Sequence, residues 1–190
     1  PLNYERERHV PQPTQASLTT EDAGFLAPSG LHYRRYLTSV HQGAPLDWYL
    51  EIGCRNGKTF APSRSKTIAV DPFFKVDLNV IGKKPALHVF QQTSDAFFAS
   101  GFIDSINARL SLSFLDGMHL FEFLLRDMMN TEARSRAEGV IALHDCIPFS
   151  HEMTTRDLSK LPSGAWTGDV WKLIPILRTY RPDLEIDVLD

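Results

Sequence analysis

The sequence predicts an α/β fold, a mainly parallel sheet with helices on both faces. Short apolar runs rich in β-branched residues alternate with helical stripes along the chain. Strands spaced by helices in this way call for right-handed crossovers, which leave neighbouring strands parallel. The polar clusters at Glu51 to Gly57, Asp71, Asp116 to His119 and His144-Asp145 each follow such a run. Open α/β sheets bind their ligands at those carboxyl ends.

Residues 1–29 carry Pro, Gln, Ser and Thr without sustained periodicity and read as an N-terminal arm; residues 30–190 read as a single domain. A helix is expected over 30–42, where Leu31, Tyr33, Tyr36, Leu37 and Val40 share a face, and Gly43 to Pro45 break it. The first strand is 47–52 (DWYLEI), after which 57–63 open a short helix. The second strand, 67–70 (TIAV), is closed by Asp71-Pro72. A third covers 86–90 and leads into a helix at 94–100. The fourth, 110–115 (LSLSFL), stops at Asp116-Gly117. Apolar residues at Leu120, Phe121, Leu124, Leu125, Met128 and Met129 give a helix over 120–133, with both methionines in the core. The run 139–143 (GVIAL) is a buried-type strand ended by His144-Asp145. A helix at 170–180 and a last strand at 184–189 complete a sheet of six strands.

The bulk numbers exclude several classes. A net charge of −3 supplies no positive field for nucleic acid. No apolar run approaches the roughly 20 residues that span a bilayer, so no membrane partner is expected. Residues 1–21 are polar and charged, unlike a signal peptide. Cys54 and Cys146 form neither a metal spacing nor a disulfide framework, so reduced thiols in a cytoplasmic protein are expected.

Gly53 permits a tight turn and a close backbone approach, and the helix start expected at Gly57 offers unpaired N–H groups. Asp71 ends the next strand, where a carboxylate can accept both hydroxyls of a ribose. The pattern is not G-x-G-x-x-G, which argues against a nicotinamide dinucleotide. Nor is it a P-loop: Gly57-Lys58-Thr59 mimics the tail, but the upstream glycine stands one position too close.

Glu51-x-Gly53-x-x-x-Gly57 resembles motif I of class I S-adenosylmethionine-dependent methyltransferases, with Arg55 in place of the middle glycine. Ile68 to Pro72, Phe114 to His119 and Gly139 to Pro148 are similar to further motifs of the branch called methyltransferase family 24. The resemblance covers roughly residues 48–190. It implies a Rossmann-like sheet, to which that class adds a seventh, antiparallel strand that these residues do not supply. It also implies S-adenosyl-L-methionine as cofactor. Glu51 and Gly53 would lie near its methionine part and Asp71 would bind its ribose, with Cys54, Arg55, Gly57 and Asp116 as further cofactor-binding residues. Thr93 and Ser94 would sit beside adenine, with an N-cap as the alternative role.

Asp116, His119, His144 and Asp145 are the candidate chemistry. Asp116, His119 and Asp145 would surround an acceptor hydroxyl, with His119 as base. Metal-dependent catechol-type methyltransferases, which the pattern also resembles, imply Asp116 and Asp145 as ligands of a divalent metal, Mg²⁺ or Mn²⁺. Cys146 stands where that pattern has Asn, and His144 is the substitute ligand. His144-Asp145 as a structural loop pair is the alternative. His151, Glu152 and Asp157 are expected to face solvent or substrate, and Trp166 and Trp171 to wall a pocket or pack the core. The expected function is O-methylation of a small-molecule hydroxyl, sugar or natural-product in type. The alternatives are a non-catalytic cofactor-binding module and a metal-dependent hydrolase or hydroxylase on the same fold. An exposed sheet edge makes a homodimer a candidate assembly.

Overall fold

Five strands form one all-parallel sheet in the order β3-β2-β1-β4-β5. They are β1 (Trp48–Ile52), β2 (Lys66–Val70), β3 (Leu87–Phe90), β4 (Leu110–Leu115) and β5 (Ser135–Leu143). The helices are α1 (Tyr33–Gly43), α2 (Ser94–Ala99), α3 (Phe102–Ser105), α4 (Phe121–Glu132) and α5 (Leu173–Tyr180). The computed structural model describes residues 24, 25 and 29–189, so the expected arm falls almost wholly outside the described residues. From β1 the chain builds outward through β2 to β3, then crosses back to lay β4 on the other side of β1. This is the Rossmann-like arrangement, and its switch point lies between β1 and β4.

Side chains alternate across the strands, so each strand feeds two cores. Leu50, Ile52, Ile68, Val70 and Leu115 meet Phe97, Ile103, Leu124, Met128, Leu173 and Leu177 from α2, α3, α4 and α5. Tyr49, Ala69, Leu112 and Phe114 face the other way, against Leu37 of α1 and Phe60. Leu110 and Leu112 should share a face, yet lie in different cores. A register shift between them, in the pairing of β4 with β5, flips the parity. Helices thus cover both faces, unequally.

The helix expected over 57–63 is replaced by successive turns. Gly57 has φ 78°, outside the right-handed helical region, and Pro62 disfavours helix at Ala61. Among the described residues the expected last strand over 184–189 pairs with no strand, leaving five strands rather than six. Its alternation has another cause: Leu184 and Ile186 pack on the core while Glu185 and Asp187 face solvent. The final helix begins as a 3-10 turn over Val170–Lys172. Met128 is buried, but Met129 is 59% exposed and not a core residue. Among the described residues no helix is long and apolar enough to cross a membrane.

Candidate active site

Gly53 leaves β1 at φ 87°, and a Cβ there would lie 1.9 Å from the Asp116 carbonyl oxygen. The close approach expected toward a ligand is made toward the end of β4, so packing at the switch point requires this glycine. Arg55, where the resembled motif has glycine, has φ 31°. Its backbone N–H donates to Asp71 Oδ2 at 2.8 Å, and the Phe73 N–H donates to Oδ1 at 2.6 Å. Asp71, 7% exposed, therefore ties the glycine turn to the end of β2. A carboxylate has about four lone-pair sites, so two remain for further donors.

Glu51 points beneath this turn, into the core shared with α1. It is fully buried and accepts the Tyr49 hydroxyl at 2.5 Å and the Thr59 hydroxyl. Burial pushes its pKa up to about 7, against the lowering effect of those two bonds. The buried Cys54 thiol donates to the Glu51 carbonyl at 3.1 Å, and burial raises its pKa well above the usual thiol range. The Glu51 and Cys54 side chains brace the turn through these contacts. Thr93 is the N-cap of α2, accepting the Ala96 N–H at 3.3 Å. The Thr93 hydroxyl thus has the N-cap role weighed as its alternative, and Ser94 is the first residue of the helix.

Asp116 leaves β4, and His144 and Asp145 leave the adjacent β5, so the three converge. His144 Nδ1 lies 3.0 Å from Asp116 Oδ1 and 3.4 Å from Asp145 Oδ1. Asp145 has φ 57°, a left-handed conformation that Asp tolerates better than most residues. His119, just ahead of α4, places Nε2 3.2 Å from Asp116 Oδ1 and Nδ1 2.5 Å from the Trp166 carbonyl. Its Nδ1 is also 3.5 Å from Asp145 Oδ2. A carbonyl and a carboxylate only accept, so both contacts are hydrogen bonds only if both ring nitrogens carry protons.

The electrostatics agree with that geometry. Burial lowers the His119 pKa, but the bond to Asp116 and the charges of Asp145 and Asp116 outweigh it and leave it raised. Burial likewise opposes His144, yet Asp116 and Asp145 lift it well above the usual value. Burial alone would raise Asp116, but the His144 charge and the bonds from both histidines hold it at about 2. These partners favour the protonated form of the His119 imidazole.

Contacts distant in sequence complete the site. The Tyr33 ring, from α1, lies 4.2 Å from the His144 ring, and Phe114 lies 5.5 Å from it. Trp166 lies 5.3 Å from the His119 ring, while Trp171 is 38% exposed. The loop after β5 is pinned by Asp169, which accepts the Phe121 N–H at 2.8 Å and pairs with Arg156 at 2.6 Å and Lys172 at 2.9 Å. A Cβ on Gly168 would lie 1.7 Å from the His119 carbonyl oxygen, so loop and site pack backbone to backbone. Sequence reading missed Tyr33 as a site residue, the Trp166 carbonyl and the Asp169 clasp; the glycine at 168 is the one local signal for them. His151, Glu152 and Asp157 are exposed, as expected.

A separate, mostly apolar cavity of about 290 Å³ is lined by Phe60, Phe74, Val76, Val80, Val89 and Gln91, along the segments that leave β2 and β3. Asp116, His144 and Asp145 can present ligand atoms all within 4.8 Å of one another, a donor set that fits a metal ion. No protein-family model matches the chain, and no curated protein matches it.

Proposed function

We propose that the chain is an S-adenosylmethionine-dependent methyltransferase acting on a hydroxyl of a small molecule, sugar or natural-product in type. The observation that carries this reading is the contact between Asp71 and the Arg55 N–H, 2.8 Å long. It couples an acid with unused acceptor capacity to a glycine turn beside the switch point, and such an acid suits the hydroxyls of a ribose. The cavity along the exits of β2 and β3 offers apolar surface on the same side of the switch point.

The cofactor would supply a methyl group on a sulfonium. In the transfer the carbon–sulfur bond breaks, a carbon–oxygen bond forms, and the acceptor hydroxyl loses its proton. Asp145 has the more open of the two carboxylates, 26% exposed against 20% for Asp116, and would orient that hydroxyl. His119, in its neutral form, would take the proton. Positioning of the two reactants supplies much of the rate in such a reaction.

Calorimetry with S-adenosylhomocysteine tests the reading: saturable binding supports it, and no binding to folded protein rejects it. The Asp116, His144 and Asp145 cluster also favours a second reading, a metal-dependent hydrolase or hydroxylase. Metal-dependent turnover without cofactor binding would select it.

A further inference from the structure

Helix α1 touches the candidate site at one end and a buried polar cluster at the other. At its start, the Tyr33 ring lies 4.2 Å from the His144 ring and 6.0 Å from Phe114. At its end, the His41 ring meets the fully buried Tyr49 ring edge-on at 4.4 Å. We propose that α1 is an acid-released cover of the site: charging the buried imidazole of His41 frees the helix from the sheet and withdraws Tyr33 from His144. Release of the cover does not depend on which reaction the site performs.

The hold of α1 on the sheet is slight, and part of it is ionisable. Of the 11 residues of the helix only Leu37 and His41 are buried, with Tyr33 and Val40 packed partly against the same core. His41 is 3% exposed, and both its ring nitrogens lie buried with no hydrogen-bond partner among the described residues. A neutral imidazole leaves one donor unmet there; an imidazolium would bring a bare charge into the core.

The groups facing α1 do not offset that charge. Tyr49 presents its ring edge to His41 and donates its hydroxyl to Glu51, which also accepts the Thr59 hydroxyl. Lys84, on the segment before β3, is itself a cation and donates to the Ala61 carbonyl at 2.9 Å. Burial, and after it the Lys84 charge, lower the His41 pKa from 6.5 to about 4. A released helix regains the ordinary value, so the released state holds the proton more tightly. Docking is therefore at full strength above about pH 6.5 and weakens as pH falls toward about 4, by roughly 20-fold between pH 7 and pH 5. Glu51 acts with the opposite sign: its raised pKa makes acid stabilise the fold, so it does not account for a loosening at low pH.

The competing account is a core histidine that stays neutral and keeps α1 docked until the whole chain unfolds. Amide exchange followed by magnetic resonance on the full chain separates the two, with each rate referred to its intrinsic value at that pH. Protection of the α1 amides should fall by roughly 20-fold between pH 7 and pH 5 while the β1 amides keep theirs. This comparison uses the wild type alone and needs no variant to fold. In His41→Leu the pH dependence in α1 should vanish. Tyr33→Ala should lower α1 protection at both pH values and leave the pH dependence in place. Protection in α1 that is flat with pH, that falls together with β1, or that keeps its slope in His41→Leu would overturn the release mechanism. Unchanged α1 protection in Tyr33→Ala would overturn the link to the site.

Discussion

The backbone N–H of Arg55 donates to the carboxylate of Asp71 at 2.8 Å, and this bond joins that of the Gly53 N–H to the Val70 carbonyl in holding the glycine turn after β1 against the end of β2. With the Phe73 N–H on its other oxygen, Asp71 is a structural strut as well as the acid assigned to the cofactor. Asp71→Ala removes the acceptor of two part-buried backbone hydrogen bonds. The variant should lose about 2–4 kcal/mol in denaturant unfolding and should also bind S-adenosylhomocysteine more weakly. Wild-type stability in this variant would show that the strut is not formed.

Gly53 should tolerate no side chain. A Cβ would overlap the Asp116 carbonyl, and φ 87° disfavours any L residue. Gly53→Ala should destabilise the fold by roughly 3 kcal/mol or more. Gly43, at the end of α1 with open space around it, is the control: Gly43→Ala should be neutral or stabilising by up to about 1 kcal/mol. Equal effects at both positions in urea unfolding would contradict the packing described at the switch point.

Glu51 should make stability fall as pH rises. Burial lifts its pKa from the ordinary 4.5 to about 7, so the folded state holds this proton more tightly than the unfolded chain. The stabilisation is present in full below the ordinary value and is lost as pH climbs through the raised one. Ionised Glu51 costs on the order of 3 kcal/mol relative to the protonated form. In Glu51→Gln that contribution should vanish, so the wild type should lose stability relative to the variant between about pH 5 and about pH 8. Parallel pH profiles for the two proteins would refute it.

Asp169 should govern the loop over His119. Its removal frees the Phe121 N–H and leaves Lys172 without this partner, while Arg156 keeps its pair with Glu122 in the first turn of α4. Asp169→Ala should destabilise the protein by about 1–3 kcal/mol and speed amide exchange in residues 153–169. Unchanged exchange there would mean that the loop is held by its other contacts, such as Trp166 Nε1 on the Thr155 carbonyl.

Much of the fold is legible because the strands are short apolar runs stopped by acids. Asp71 and Asp116 end β2 and β4, and His144-Asp145 end β5, where the pattern puts them. Errors arise where a local signal has two causes. The alternation at Leu184 to Val188 reflects one packed face of an unpaired segment. The exposed residues Arg136 to Glu138 hide the first half of β5, an edge strand. Residues 57–63 look helical until the φ of Gly57 and the effect of Pro62 are counted. In the site, sequence identifies the chemical groups but not their partners. The Trp166 carbonyl lies 47 positions from His119, and Tyr33 lies 111 positions before His144. Partners this far apart leave no periodicity to read. The raised pKa of His119 follows from such partners, which no local pattern in the sequence encodes.

Binding of S-adenosylhomocysteine tests the central claim most directly. Isothermal calorimetry on the full chain should show saturable binding of one ligand per chain, with the melting temperature raised as ligand is added. No heat and no thermal shift at millimolar ligand, in protein whose circular dichroism shows it folded, would contradict the assignment of the glycine turn and Asp71 to this cofactor.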